Sequence, residues 1–175
     1  KMFSIKALKN LISLYKSRRM DGFERTDEEK IYQKYQDYLK ENQLVDFDDL
    51  LLYTLELFEG YPEVRTRYQT YFEYILVDEF QDTNPLQWQI LLSWLNAYGD
   101  EENRPSVFLV GDPKQSIYRF RRADVRLFGE AKSYLNKQFK AKIHSFNKTR
   151  RNSPAVIKAV NNVFALPDVP KTYSF

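Results

Sequence analysis

Asp78 and Glu79 are adjacent carboxylates set directly after the apolar run Tyr74-Ile75-Leu76-Val77. Two hard oxygen donors at that spacing can divide two tasks. One holds Mg2+, usually through water, while the other orients and deprotonates an attacking water. That chemistry suits a nucleotide site, although the same pair read alone could cap the next helix in solvent. A second group follows the next apolar run, Ser106-Val107-Phe108-Leu109-Val110, and reads Gly111-Asp112-Pro113-Lys114-Gln115-Ser116-Ile117-Tyr118-Arg119-Phe120-Arg121. Parallel strands ending side by side would bring the Gln115 amide near the two carboxylates, where it could sense a terminal phosphate. Beyond it, Tyr118 and Phe120 alternate with Arg119 and Arg121. Rings that stack on bases and guanidinium groups that pair with phosphates are what a single strand of nucleic acid requires. A basic turn with its rings folded into the core would share the pattern.

These groups need elements to hold them. Short apolar runs that end in acids or turn residues have the profile of buried parallel strands, here Tyr74–Val77 and Ser106–Val110, with a third expected over Ala141–Phe146. Asn84 caps and Pro85 opens a helix towards Gly99, followed by a polar loop through Pro105. Further helices are expected over Asp124–Leu135 and from Ser153-Pro154 onward. Upstream, Phe3, Ile5, Leu8, Leu11, Ile12 and Tyr15 recur at helical spacing over residues 3–19. A turn around Gly22–Glu29 leads to a second helix ending at Gln43. Asp46 reads as an N-cap with Asp49 completing a capping box, Gly60 as the stop of that helix, and Pro62 as the first turn of another. Strands alternating with helices imply an α/β fold with a parallel sheet and functional groups beyond its carboxyl ends.

The 175 residues are 43% hydrophobic and 29% charged, a globular composition of about one domain. With no Cys there is no disulfide framework, thiolate metal site or Cys nucleophile, and His144 is the single His, expected to be structural on the third strand. The sequence has no apolar run of bilayer length and no signal-peptide pattern, so no membrane partner is expected. A net charge of +3 conceals segregation: residues 1–20 and 140–158 each hold six bases and no acid, and residues 111–126 hold five bases against two acids. The remainder is therefore strongly acidic. Such separation suits a polyanion-binding surface, although solvated helix faces also produce it.

Taken together, Val77–Asn84 resembles motif II, Val107–Asp124 motif III and Thr149–Phe164 motif IV of superfamily-one DNA helicases of the UvrD/Rep/PcrA type. The Asp-Pro-Lys-Gln-Ser-Ile-Tyr-Arg-Phe-Arg string is most similar to the RecB/AddA, exodeoxyribonuclease V beta-like branch, as is Val45-Asp46-Phe47-Asp48-Asp49-Leu50-Leu51. The resemblance implies a partial RecA-like P-loop NTPase lobe over 46–175, preceded over 1–45 by helices of an inserted helical subdomain. ATP and Mg2+ are the implied cofactors. Asp78 would bind Mg2+, Glu79 would activate water and also lie at the metal, and Gln115 and Arg151 would reach the γ-phosphate. Tyr118, Arg119, Phe120, Arg121 and Arg122 would meet single-stranded DNA, with Gln81, Asp82 and Asp112 organising the site behind them.

Two positions depart from the family pattern. Arg150 stands where many relatives place an aromatic against adenine, so a stacking guanidinium is the expectation. Arg122 stands where Gly is usual before Ala-Asp, and an ordinary backbone that offers DNA another cation is expected. No Gly-x-x-x-x-Gly-Lys-Ser/Thr occurs in the chain. The resemblance therefore implies an internal piece of a longer motor, inactive by itself. Its partners would be the rest of that chain, ATP, single-stranded DNA and further helicase-nuclease subunits, in a cytoplasmic, nucleoid-associated setting. A non-catalytic DNA-binding or regulatory module is the alternative. A carboxylate-metal nuclease fits less well, because the acids cluster in one motif.

Overall fold

The computed structural model describes residues 4–19, 26–98, 104–146 and 148–165. Residues 22–25 of the expected Gly22–Glu29 turn and most of the loop after Gly99 lie outside them, whereas Asp27–Glu29 already form the first turn of a helix capped by Thr26. Four helices come first: α1 (Ile5–Arg18), α2 (Asp27–Glu41), α3 (Phe47–Gly60) and α4 (Pro62–Gln69). They are followed by β1 (Tyr74–Val77), α5 (Pro85–Asn96), β2 (Ser106–Leu109), α6 (Arg126–Phe139) and α7 (Pro154–Phe164). Contacts divide the chain into two compact units, residues 1–128 and 129–175. No helix among the described residues is long and apolar enough to cross a membrane.

Local chemistry fixes most boundaries. Asp46 accepts from the Asp49 amide at 2.9 Å while the Asp49 carboxylate accepts from the Asp46 amide at 3.1 Å, a reciprocal box that satisfies two donors no helical carbonyl can reach. Asn84 and Gln87 repeat the arrangement at the start of α5, with Pro85 in the first turn. Strands β1 and β2 are parallel, with Ile75 beside Val107 and Val77 beside Leu109, and α5 is the crossover that parallel pairing demands. In the first unit Leu52 and Leu55 of α3 pack with Leu86 of α5, and Leu51 and Ile90 border them.

Two expectations fail. The strands are not buried on both faces: Ile75 is 7% exposed, but Tyr74 and Leu76 are 66% and 71% exposed, and Phe108 is 59% exposed. Exposure alternates along both strands, so one face of the two-stranded sheet is covered and the other lies in water. Residues 141–146 form no strand, because the sheet of the described residues contains only β1 and β2 and a lone extended segment has no ladder to join. His144 is consequently exposed rather than part of a sheet.

The N-terminal helices carry a feature that lies outside the expectations above. Lys16 of α1 is 0% exposed and its ammonium lies 2.6 Å from Asp46 Oδ2 and 2.7 Å from Asp49 Oδ1. The Tyr35 hydroxyl donates to Asp46 at 2.9 Å. Burial raises the Asp46 carboxyl, but the bonds from Lys16, the Asp49 amide and Tyr35 outweigh it and hold the group below the usual carboxylate range. Burial first, and then the bond to Asp46 and the surrounding acids, push the Tyr35 phenol up to about 12.

Candidate functional site

The parallel ladder delivers both loops to one end of the sheet. Val110 N donates to Val77 O at 2.8 Å and Phe80 N to Val110 O at 3.0 Å, so pairing continues past the strand ends and fixes the two turns against each other. Phe80, 1% exposed, anchors the first turn. Its ring meets Trp88 edge-on at 5.5 Å and Phe128 at 6.2 Å. Asp78 and Glu79 are left exposed above this anchor. The Glu79 amide donates to Asp78 Oδ1 at 2.9 Å, and Glu79 itself holds a left-handed backbone, φ 52° and ψ 37°. Left-handed backbone is sterically costly for a residue with a Cβ, by about 1–3 kcal/mol, and such residues collect at functional sites.

A chain of hydrogen bonds runs from this residue to the second loop. Gln81, 1% exposed, donates from Nε2 to Glu79 Oε2 and accepts at Oε1 from the Asp112 amide at 2.9 Å. Asp112 Oδ2 in turn accepts from Gln115 Nε2 at 2.9 Å, and the Gln81 carbonyl accepts from Ser116 Oγ at 3.0 Å. The Gln115 amide thus reaches Glu79 through Asp112 and Gln81. Gly111 makes the approach possible: a Cβ there would stand 2.6 Å from Gln81 Oε1 and 2.9 Å from Phe128 Cε2. Asp82 is half-buried, and its Oδ1 is enclosed with no hydrogen-bond partner among the described residues.

The turn after Gln115 separates its side chains. Phe120 is 75% exposed, so its ring does not belong to the core, whereas Tyr118 is half-buried. The two rings lie 5.7 Å apart, and the Arg121 guanidinium stands 5.2 Å from the Tyr118 ring and 5.6 Å from that of Phe120. Arg119 and Arg121 are exposed. This is a cationic ring platform open to solvent, suited to stacking a base beside a phosphate contact. Arg122 corrects the expectation for it. Its backbone is left-handed, φ 66°, because it ends the short 3-10 turn Arg119–Arg121, and its guanidinium is engaged by Ser13 and Asn10 of α1. Arg150 and Arg151 belong to the second unit, exposed in the bend before α7, where the Arg151 amide donates to Thr149 Oγ1 at 3.3 Å.

The UvrD/REP helicase N-terminal domain matches residues 2–136. The chain belongs to the UvrD/REP helicase N-terminal domain family. The matched residues include Asp78, Glu79, Gln81, Asp112, Gln115 and the Tyr118–Arg122 turn, and end before Arg150 and Arg151. Among its UvrD/REP relatives, an ATP-dependent helicase/nuclease subunit of Streptococcus pneumoniae (strain Hungary19A-6) is 38% identical over 131 residues, covering 74% of this chain and 10% of that protein. The ATP-dependent DNA helicase PcrA of Bacillus subtilis (strain 168) is 37% identical over 134 residues, covering 76% of this chain and 17% of the relative. The chain thus spans about a tenth of the length of the Streptococcus pneumoniae protein it matches.

Proposed function

We propose that this chain is an internal segment of an ATP-dependent DNA helicase or helicase-nuclease motor that couples ATP hydrolysis to movement along single-stranded DNA in repair and recombination. It carries motifs II, III and IV, with residues 1–45 as part of a helical insertion and 46–175 as part of a RecA-like lobe. The observation that carries the reading is the hydrogen-bonded path Glu79–Gln81–Asp112–Gln115, whose last residue leads in sequence into the turn that bears exposed Phe120 and Arg121. Mere binding of DNA does not call for such a path.

The donor chemistry fits the cofactors. Asp78 and Glu79 are exposed oxygen donors, and no cluster of three or more His, Cys, Asp or Glu able to hold a metal occurs among the described residues. Two carboxylates supplemented by phosphate and water suit Mg2+ delivered with ATP. Bound there, Mg2+ would neutralise phosphate charge. Asp78 would hold it, and Glu79, bonded to Gln81, would take the proton of the attacking water. Gln115 meets the γ-phosphate, and Arg151 supplies a fixed cation against charge developing in the transition state, with Arg150 at the base of the nucleotide. Tyr118, Arg119, Phe120 and Arg121 engage the single strand. The enclosed Asp82 Oδ1 supports a site that other residues of the longer protein complete. Without a phosphate-cradling Gly-x-x-x-x-Gly-Lys-Ser/Thr the 175 residues alone do not turn over ATP efficiently.

The deciding experiment is DNA-stimulated ATPase activity of the full-length parent. Glu79→Gln should lower turnover by about 10²–10⁴-fold with nucleotide binding retained, the range for removing a general base. Unchanged turnover refutes the assignment.

A further inference from the structure

Arg122 occupies a backbone conformation that Gly adopts without steric cost and that few side chains tolerate. Its side chain explains what the position gains from Arg. Nε donates to Ser13 Oγ at 2.9 Å, and the terminal nitrogen Nη2 donates to the Asn10 carbonyl. The two acceptors lie three residues apart on α1, hence on one helix face, and the rigid guanidinium fork spans them where a flexible ammonium would hold one. Arg119 and Arg121 of the same turn are exposed, while Arg122 is half-buried and directed into the protein. One turn of helix further along, α1 is fastened again, by Lys16 to the capping box of α3. Helix α1 is therefore pinned at one point to the ring-bearing turn and at another to the start of α3.

We propose that Arg122 is a positioning residue that ties the Tyr118–Arg121 turn to α1, so that a single strand of nucleic acid engaging the turn also orders the N-terminal helix. The proposal rests on the reading of Tyr118 and Phe120 as the single-strand platform. It replaces the role of a phosphate-pairing cation for Arg122, since Nε and Nη2 already serve α1.

The test uses the 175-residue chain and an oligodeoxythymidylate, with hydrogen–deuterium exchange read separately over the turn and over Ile5–Arg18. In the unaltered chain the oligonucleotide should slow exchange in both segments. Arg122→Gly retains the left-handed backbone and deletes the tie. It should leave protection of the turn and abolish the oligonucleotide-dependent protection of α1. Arg122→Asn, also tolerant of that backbone, serves as the second variant, and Ser13→Ala should weaken the same protection from the α1 side without changing any charge. The salt dependence of binding provides an independent reading. A positioning residue leaves the slope of log affinity against log salt unchanged, whereas a lost phosphate contact lowers it by about 0.7. Protection of α1 that survives in both Arg122 variants, or a lowered slope, overturns the proposal. A turn that is protected in the unaltered chain with no effect on α1 overturns the coupling and leaves the platform standing. Protection of neither segment removes the platform and the coupling together.

Discussion

Lys16→Met removes one charge from a cluster in which Lys16 and Asp49 are both 0% exposed and retains most of the packing volume. Breaking a buried pair from one side costs about 3–5 kcal/mol, since the remaining charge stays out of water without its partner. The surroundings place this case at the lower end. Asp46 has a side chain 26% exposed and keeps its bonds from Tyr35 and the Asp49 amide, and Asp49 keeps those from the Asp46 amide and, at 3.4 Å, Gln36. A loss of about 3 kcal/mol is expected, a large part of a domain's stability. Urea unfolding followed by the fluorescence of Trp88 and Trp94, in the same compact unit, should show the midpoint fall by at least about 1 M for slopes of about 1–3 kcal/mol/M. Arg19→Met breaks the exposed pair with Glu59 and should cost about 0–1 kcal/mol. Adding Asp49→Asn to Lys16→Met should recover part of the loss, as an amide oxygen still accepts from the Asp46 amide without a charge. A Lys16→Met cost below about 1 kcal/mol, equal to that of the exposed pair, refutes the argument that this cluster is dry and paired.

Gly111→Ala forces a methyl against Gln81 Oε1 and Phe128. Displacement of the Gln81 amide should lower ATP turnover of the full-length parent by up to about 10²-fold, the order reached when a reacting group shifts by about 1 Å. Wild-type turnover would show that Gln81 does not hold Glu79. Tyr35 should ionise near pH 12, an inflection that ultraviolet titration finds in the unaltered chain and loses in Tyr35→Phe. Because its folded value lies above the ordinary value of 10, the neutral phenol contributes stability below pH 10 that is lost as pH rises through about 12. Stability measured across that interval should fall less in Tyr35→Phe.

Features encoded by neighbours in sequence are legible before any coordinates. Asp46 with Asp49, Asn84 with Pro85 and the four residues of β1 are specified by caps and by a short apolar run, and the structure places them there. The Glu79–Gln81–Asp112 path is foreshadowed only as two loops meeting, because a side-chain amide bridging 31 residues leaves no local trace. Lys16 does carry a signal: it follows Ile12 by four residues and so shares the apolar face of α1, where a Lys must find a carboxylate. Arg122 misleads because its charge is visible in the sequence and the turn it closes is not. Ala141–Phe146 has strand-forming residues, but a strand is a property of a pair, and sequence reports only one member.

The closeness of Gly111 to Gln81 has a consequence for divergence among relatives. A change at either position alone is penalised, since any larger residue at 111 collides with the amide and any shorter residue at 81 strands the Asp112 N–H. Drift at either site therefore needs a compensating change elsewhere, at 111 also in Phe128, whose ring stands 2.9 Å from the same Cβ. Two positions thirty residues apart are thus constrained together, and their joint identity across a lineage records whether Glu79 is still held in place.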